Sequence, residues 1–479
     1  MSNDFDLDNL DIVFTGPFRT DIFLDFRYLT AVGYEGGQEK IMQAMASNPN
    51  YSCYDWHYPK LEPGQIYKSG NFGRGKTIIP RYYLGCTLSS SDLSEQTKHN
   101  FMINDELKEY GYEAEIVWIR LRMYEFGFGS FSACIKLQGE KSTICVEELQ
   151  KISEKISDLI EKNEIELIAK IISSITAEFN TQINNFEIKQ FPAFDTEFEI
   201  SKKWGAAGEI MWTHRLFCYS SENGESFKIL SEKINKILSP KGEVISADSK
   251  DFLGLGVANS AVICCQKSDS SRWEGSSENR GKNLLFESAS RVLQAANVYY
   301  AVSQYLDNSL FWFFNYSVDR AREEKNIKKL RELEKEIIEH IQFSNQYTAL
   351  LDQYKLYLNP TSKKMWDKID DAWELHKRVQ GLDKQIHNII MLYDRITNEI
   401  TASRQRMLNV TAVIFTGISA VALVEIAQAP GFRWPNASVF FIIAITVIIV
   451  ILCVAVMGFF DFAKRWCCEC WKKIRRKKP

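Results

Sequence analysis

Residues 365–428 read MWDKIDDAWELHKRVQGLDKQIHNIIMLYDRITNEITASRQRMLNVTAVIFTGISAVALVEIAQ, with no proline between Pro360 and Pro430. One apolar series is Ala372, Val379, Ile386, Tyr393, Ile400 and Met407; its companion is Leu375, Leu382, Ile389, Ile396 and Ser403. Alternating steps of three and four residues make a helix with one greasy edge, which needs a partner along its length. Asp383, Lys384, Asp394, Arg395 and Glu399 lie off that edge. From Leu408 no charged residue occurs until Glu425. The pattern predicts one continuous stalk helix, about 95 Å long at 1.5 Å per residue, that ends as a membrane span.

Working outward, 408–427 is the first expected span and 437–460 the second, the latter rich in Ile, Val, Phe and Ala without a charge. Asn409 and Thr416 are seven apart and share a face, and Leu423 follows at the next step. The spacing predicts that they continue the stalk register and line a pore, because polar groups in hydrocarbon turn toward a bundle or water. The competing expectation is that Thr hydroxyls bond back to their own helix carbonyls. Residues 428–436 are too short for anything but a tight outer loop, so the spans are antiparallel neighbours. Arg404 and Arg406 precede the first span, and 461–479 form a tail with eight Lys or Arg against Glu469 as its acid after Asp461. That asymmetry predicts both termini on the cytoplasmic side of the inner membrane, with the tail on anionic lipid rather than nucleic acid.

Residues 1–283 read as a cytosolic α/β sensor domain and 284–407 as a helical hairpin and stalk. Strands are expected at Asp11–Phe14, Thr77–Leu84, Glu115–Met123, Phe131–Leu137, Glu209–Tyr219 and Gly254–Cys265, and a long helical pattern over Glu147–Ile183. The hairpin sets Glu324–Leu358 against Met365–Ile400. The start lacks an apolar signal segment. Asp4, Asp6, Asp8 and Asp11 are expected to form a solvated acidic arm rather than a cation site.

Gly70–Thr77 matches the phosphate-loop string G-x-x-x-x-G-K-[ST]. A helix must follow for its terminal amides to cradle phosphate, but Pro80 and Tyr82-Tyr83-Leu84 follow instead. ATPase chemistry is not expected; Arg74, Lys76 and Arg81 can still hold a phosphate. No spacing of His, Cys, Ser or carboxylates points to catalysis, and no metal ligand set is readable.

The stretch Ile396–Ser419, with Thr397-Asn398-Glu399 and Ala412-Val413-Ile414-Phe415, resembles the CorA family of magnesium channels, and the layout of residues 330–479 is similar as a whole. The resemblance implies an α/β cytosolic domain, a stalk, two transmembrane helices and a homopentamer, with Thr416 and Ser419 lining the pore. The family's Gly-Met-Asn signature is replaced here by Ile426-Ala427-Gln428, with Glu425 before it. Glu425 and Gln428 are expected at the outer mouth. CorA-like proteins without the signature include type III CRISPR-associated membrane effectors. The resemblance to these implies an antiviral channel gated by a nucleotide messenger such as an S-adenosylmethionine–AMP conjugate. The alternative is a magnesium transporter regulated by cytosolic magnesium.

Overall fold

The computed structural model describes residues 4–24, 34–58, 83–90, 103, 107–188, 190, 207–220, 232, 236–237, 243–248, 251–255, 259–264, 284–323, 327–354, 358 and 360–428. The chain divides into two compact units: 1–320 with 336–390, and 321–335 with 391–479.

The first unit is mixed α/β. Strands β2 (Leu10–Phe23), β3 (Asp55–His57), β4 (Leu84–Ser89), β5 (Tyr112–Met123), β6 (Phe126–Gly139), β8 (His214–Ser220), β9 (Glu243–Asp248), β10 (Asp251–Leu255) and β11 (Asn259–Cys264) form one sheet. Its order is β3-β4-β5-β6-β2-β8-β11-β10-β9, and among the described strands β8 and β11 alone pair in parallel. A small second sheet pairs β1 (Asp4–Asp6) with β7 (Thr143–Cys145). Asp4, Asp6 and Asp11 therefore lie in strands, and Asp8 stays exposed in the turn between them, instead of the four forming one solvated arm. Asp6 accepts from the Asp8 amide at 3.1 Å and the Asn9 side chain at 2.8 Å, capping a short 3-10 turn.

Side chains alternate across β2. Leu10, Ile12, Phe14, Phe18 and Ile22 face one hydrophobic cluster, as the period of two requires. That cluster is completed by α1 (Tyr34–Ser47), α2 (Val146–Glu161) and α3 (Glu166–Asn185). Leu149, Ile152, Ile156 and Ile160 form the buried edge of α2, and Ile168, Ile172, Ile175 and Phe179 that of α3. Each fully buried Ile contributes about 1.5–3 kcal/mol. The helix expected over Glu147–Ile183 is thus two helices. Asn163 at φ 57° ends α2, with the Glu164 amide on the Leu159 carbonyl at 2.8 Å. Asn is the non-glycine residue best suited to that left-handed C-terminal position.

The opposite face of the sheet is covered by α4 (Leu284–Glu323), by α5 (Ile327–Tyr354) in its part from Glu336 on, and by α6 (Pro360–Trp373). Aromatic contacts join them: Phe23 and Phe128 meet Tyr305, and Phe126 meets Tyr299 and Tyr347. The Tyr347 hydroxyl donates to the Tyr299 carbonyl at 2.8 Å. In the aromatic run 308–316, Leu310 and Phe313 are buried while Phe311 and Trp312 are exposed.

Strand limits differ from the sequence expectation in a regular way. β2 and β6 run longer than their apolar cores, because Thr15, Ser130 and Ser132 are buried strand residues. The expected Gly254–Cys265 strand is a hairpin of β10 and β11. Most of Thr77–Leu84, the loop with Arg74, Lys76 and Arg81, and the second span with its outer loop and tail lie outside the described residues.

Candidate functional site

The stalk is α7 (Leu375–Gln428), 54 residues long. It does not begin at Met365. Pro360 opens α6, where its fixed φ suits the first turn. Glu374, at φ 55°, then breaks the helix between Trp373 and Leu375. Nothing in the local sequence demands this, since Asp371-Ala372-Trp373-Glu374-Leu375 contains neither Gly nor Pro. The break is made by Asp370, which is 3% exposed. Its Oδ1 accepts from the His376 amide at 2.8 Å and stands 3.0 Å from His376 Nδ1. A carboxylate capping the first-turn amides of α7 satisfies donors that would otherwise lack partners. Replacing Asp370 with Ala is expected to cost about 1 kcal/mol, read as a lower denaturant midpoint.

Below the break Leu375, Val379, Leu382, Ile386, Ile389, Ile396 and Ile400 of the two apolar series are buried, but Leu392 takes the buried place beside Tyr393, which is half-buried like Ser403, and Ala372 and Met407 are exposed. Within the first unit, Arg378 Nη2 donates to the Tyr300 hydroxyl at 2.8 Å, and Gln385 bonds Asp307 of α4. Within the second unit, Thr397 Oγ1 donates to Glu334 Oε1 at 2.9 Å, tying α7 to the N-terminal part of α5, where Leu330 and Leu333 are buried. The edge therefore finds its partners inside one chain, on α4 in the first unit and on the N-terminal part of α5 in the second.

Past Ile400 the burial stops. Met407, Leu408, Val410, Ile414 and Phe415 are each more than half exposed. Counting about 100° per residue, Asn409 and Thr416 lie roughly 140–180° round the helix from Ile396 and Ile400, so they do not continue its register. Asn409 is exposed and Thr416 half-buried. The Thr416 hydroxyl donates to the Ala412 carbonyl at 2.7 Å and Thr411 to Met407 at 2.8 Å, so both hydroxyls bond back to their own helix. A hydroxyl donating this way keeps its lone pairs as acceptors. Ser419, Leu423, Glu425 and Gln428 continue α7 to its C-terminal end, beyond the described side chains.

Among the described residues no helix is long and apolar enough to cross a membrane. Side chains of the first expected span are described only as far as Gly417, and the second span is not among the described residues. Among the described residues no three His, Cys, Asp or Glu side chains group as a metal site.

Sequence reasoning missed the polar layer on the α4 side of the sheet. Gln294 Nε2 bonds Ser132 Oγ, Ser132 donates to Thr15 at 3.1 Å, and Thr15 to the Phe131 carbonyl at 2.9 Å. Trp212 Nε1 reaches Asn297 Oδ1 at 2.8 Å. The available signal was polar residues at every second place, as in Ser130 and Ser132 or Arg120 and Arg122, inside otherwise apolar strands.

No protein-family model matches this chain, and no curated protein matches it. Among solved structures, the chain is similar to the CorA magnesium transporter from Methanocaldococcus jannaschii, at 10% identity over 52% of this chain and 90% of that one, with a TM-score of 0.21. It is also similar to the full-length CmaX protein, at 12% identity over 53% of this chain and 88% of that one, with a TM-score of 0.17.

Proposed function

We propose that this chain is one subunit of a homo-oligomeric, CorA-like membrane ion channel whose conducting path is lined by the far end of α7. The observation that carries the reading is the change along one helix. Its apolar edge is buried within the chain to Ile400, and from Met407 it presents large apolar side chains outward over a charge-free stretch. Surface of that kind is covered by lipid or by other copies. Asn409, Thr416, Ser419 and Leu423 form the lining, and Glu425 and Gln428 the mouth, with five copies as in the family it resembles.

Gating is assigned to the α/β domain. A ligand moves such an equilibrium only by its differential affinity for the two states, and a nucleotide messenger produced during infection is the ligand class the resemblance implies. The missing Gly-Met-Asn signature favours this over a magnesium transporter.

Purified protein in liposomes tests the reading. Ion flux is expected on adding the messenger, and Thr416→Lys is expected to reduce it at least tenfold by placing a charge in the lining. Flux that is the same in wild type and Thr416→Lys, or no flux under any condition, overturns the channel. Magnesium flux without nucleotide, shut off by internal magnesium, overturns the gating.

A further inference from the structure

The start of α5 brings a basic side chain to the level where α7 is about to lose its charges. The directions of the helices follow from contacts in the first unit. α5 runs antiparallel to α4, since Tyr347 meets Tyr299, His340 stacks on Phe313 and Glu336 pairs with Arg320. α4 runs parallel to α7, with Arg378 on Tyr300 and Gln385 on Asp307. α5 and α7 are therefore antiparallel, and in the second unit the Thr397–Glu334 hydrogen bond sets their register. Counting three residues back from Glu334 and three on from Thr397 puts Arg331 level with Ile400. Arg404 and Arg406 follow on α7 before the charge-free stretch opens at Leu408.

Arg331, Arg404 and Arg406 are exposed. Among the described residues none of the three is ion-paired, whereas Arg395 is held by Glu399 at 3.6 Å. No Asp or Glu occurs in 400–424 or in 325–331. The acids nearest in sequence are Glu332, which is exposed, Glu334, which takes the Thr397 hydroxyl, and Glu323 with Glu324 before α5. Lys328 and Lys329 are exposed as well and already have contacts within the chain. At 1.5 Å per residue, Leu408 lies about 12 Å beyond the level of Arg331 and about 6 Å beyond Arg404. The headgroup layer on each side of a hydrocarbon core is about 5–7 Å deep. Arg404 and Arg406 fall within such a layer. Arg331 falls just outside it, inside the roughly 8 Å over which charge is felt at physiological salt, and a long basic side chain spans part of that gap.

We propose that Arg331 of α5, together with Arg404 and Arg406 of α7, docks on the anionic headgroups of the leaflet that α7 enters. Guanidinium forks match the oxygens of a lipid phosphate. The inference rests on the reading that α7 enters a bilayer past Met407, and it adds a second helix to the membrane contact. α5 never enters the charge-free stretch, yet the fold places its first turns beside the headgroups. Because α5 also packs on α4, the helical layer over the sheet gains its own hold on the membrane surface.

The test uses the full chain in a neutral detergent, titrated with phosphatidylglycerol, with phosphatidylcholine or with inorganic phosphate while thermal unfolding is followed. A saturable rise in Tm is expected with phosphatidylglycerol alone. One basic group near an anionic surface is worth about fivefold in affinity. The half-saturating lipid fraction is therefore expected to rise about fivefold in Arg331→Gln and more than tenfold in Arg331→Gln/Arg404→Gln. Both positions are exposed and Gln is a good helix former, so the variants should match the wild-type Tm without lipid. An equal rise with phosphatidylcholine or with inorganic phosphate overturns the docking. So does a lipid response unchanged in Arg331→Gln but weakened in Lys472→Gln/Lys473→Gln, which would assign it to the tail. A chain that responds to phosphatidylglycerol through Arg331 but passes no ion removes the channel reading and keeps the docking; one that conducts with an unaltered lipid response in Arg331→Gln does the reverse.

Discussion

Gly16→Ala is expected to lower stability by about 3 kcal/mol or more, at the upper end of overpacking effects. A methyl group on Gly16 would overlap the backbone carbonyl oxygen of Trp212 and come within 2.9 Å of the Phe131 ring. The obstacle is main chain, so no rotamer change relieves it. The segment before β8 crosses β2 at this point: the Gly208 amide donates to the Arg19 carbonyl at 2.8 Å and the Met211 amide to Pro17 at 3.0 Å. Inserting a side chain would force apart a pair of backbones that hydrogen-bond close by. Gly381 is the control. It lies inside α7 with open space where a Cβ would be, so Gly381→Ala is expected to stabilise by about 0.5–1 kcal/mol through helix propensity. Denaturant midpoints of the two variants should move in opposite directions; a neutral Gly16→Ala would mean that the crossing is looser than this close approach implies.

Acidification from about pH 6.5 to about 4 is expected to destabilise the first unit, with His340 a principal cause. Burial lowers its imidazole to about 4, against a smaller raising effect of the Glu336 carbonyl. The ring lies flat on Phe313, with centroids 3.7 Å apart, and Nδ1 is 2.8 Å from that carbonyl. The neighbouring Glu336 carboxylate is held 3.2 Å from Arg320. Between those two pH values the unfolded chain holds a proton on this residue and the folded chain does not. Stability therefore rises with pH through the window and is fully present above it. The shift corresponds to roughly 3 kcal/mol at most, less because water reaches part of the ring. His340→Phe, which keeps the stack, should flatten this part of the pH profile; His57, also lowered to about 4, will keep a residual slope. An unchanged profile in His340→Phe would show that the acid sensitivity lies elsewhere.

Much of this architecture was legible in the residues. The heptad edge from Leu375 to Ile400 is read directly from spacing, because a helix that buries one side has little freedom in where apolar residues fall. The α/β character of the N-terminal region and the helical character of the described residues from Leu284 to Gln428 were equally readable. The features that escaped have a common cause. Asp370 and Glu374 break a helix whose local sequence favours continuing, and a buried carboxylate six residues from the amide it caps leaves no trace in propensity. The α4 face of the sheet was hidden because its arginines, serines and threonines look like solvent-facing positions until a second helical layer covers them.

The left-handed residue at the head of α7 also sets how the chain tolerates changes in length. An extra residue inserted beside Glu374 can be taken up in the joint, because α6 and α7 share no common phase there. The same insertion beside Gly381 would turn everything after it by about 100°, swinging Ile389 and Ile396 out of their slots and re-aiming Thr416. Drift in length along this rod should therefore gather at its one articulation, while the stretch beyond it keeps a fixed count.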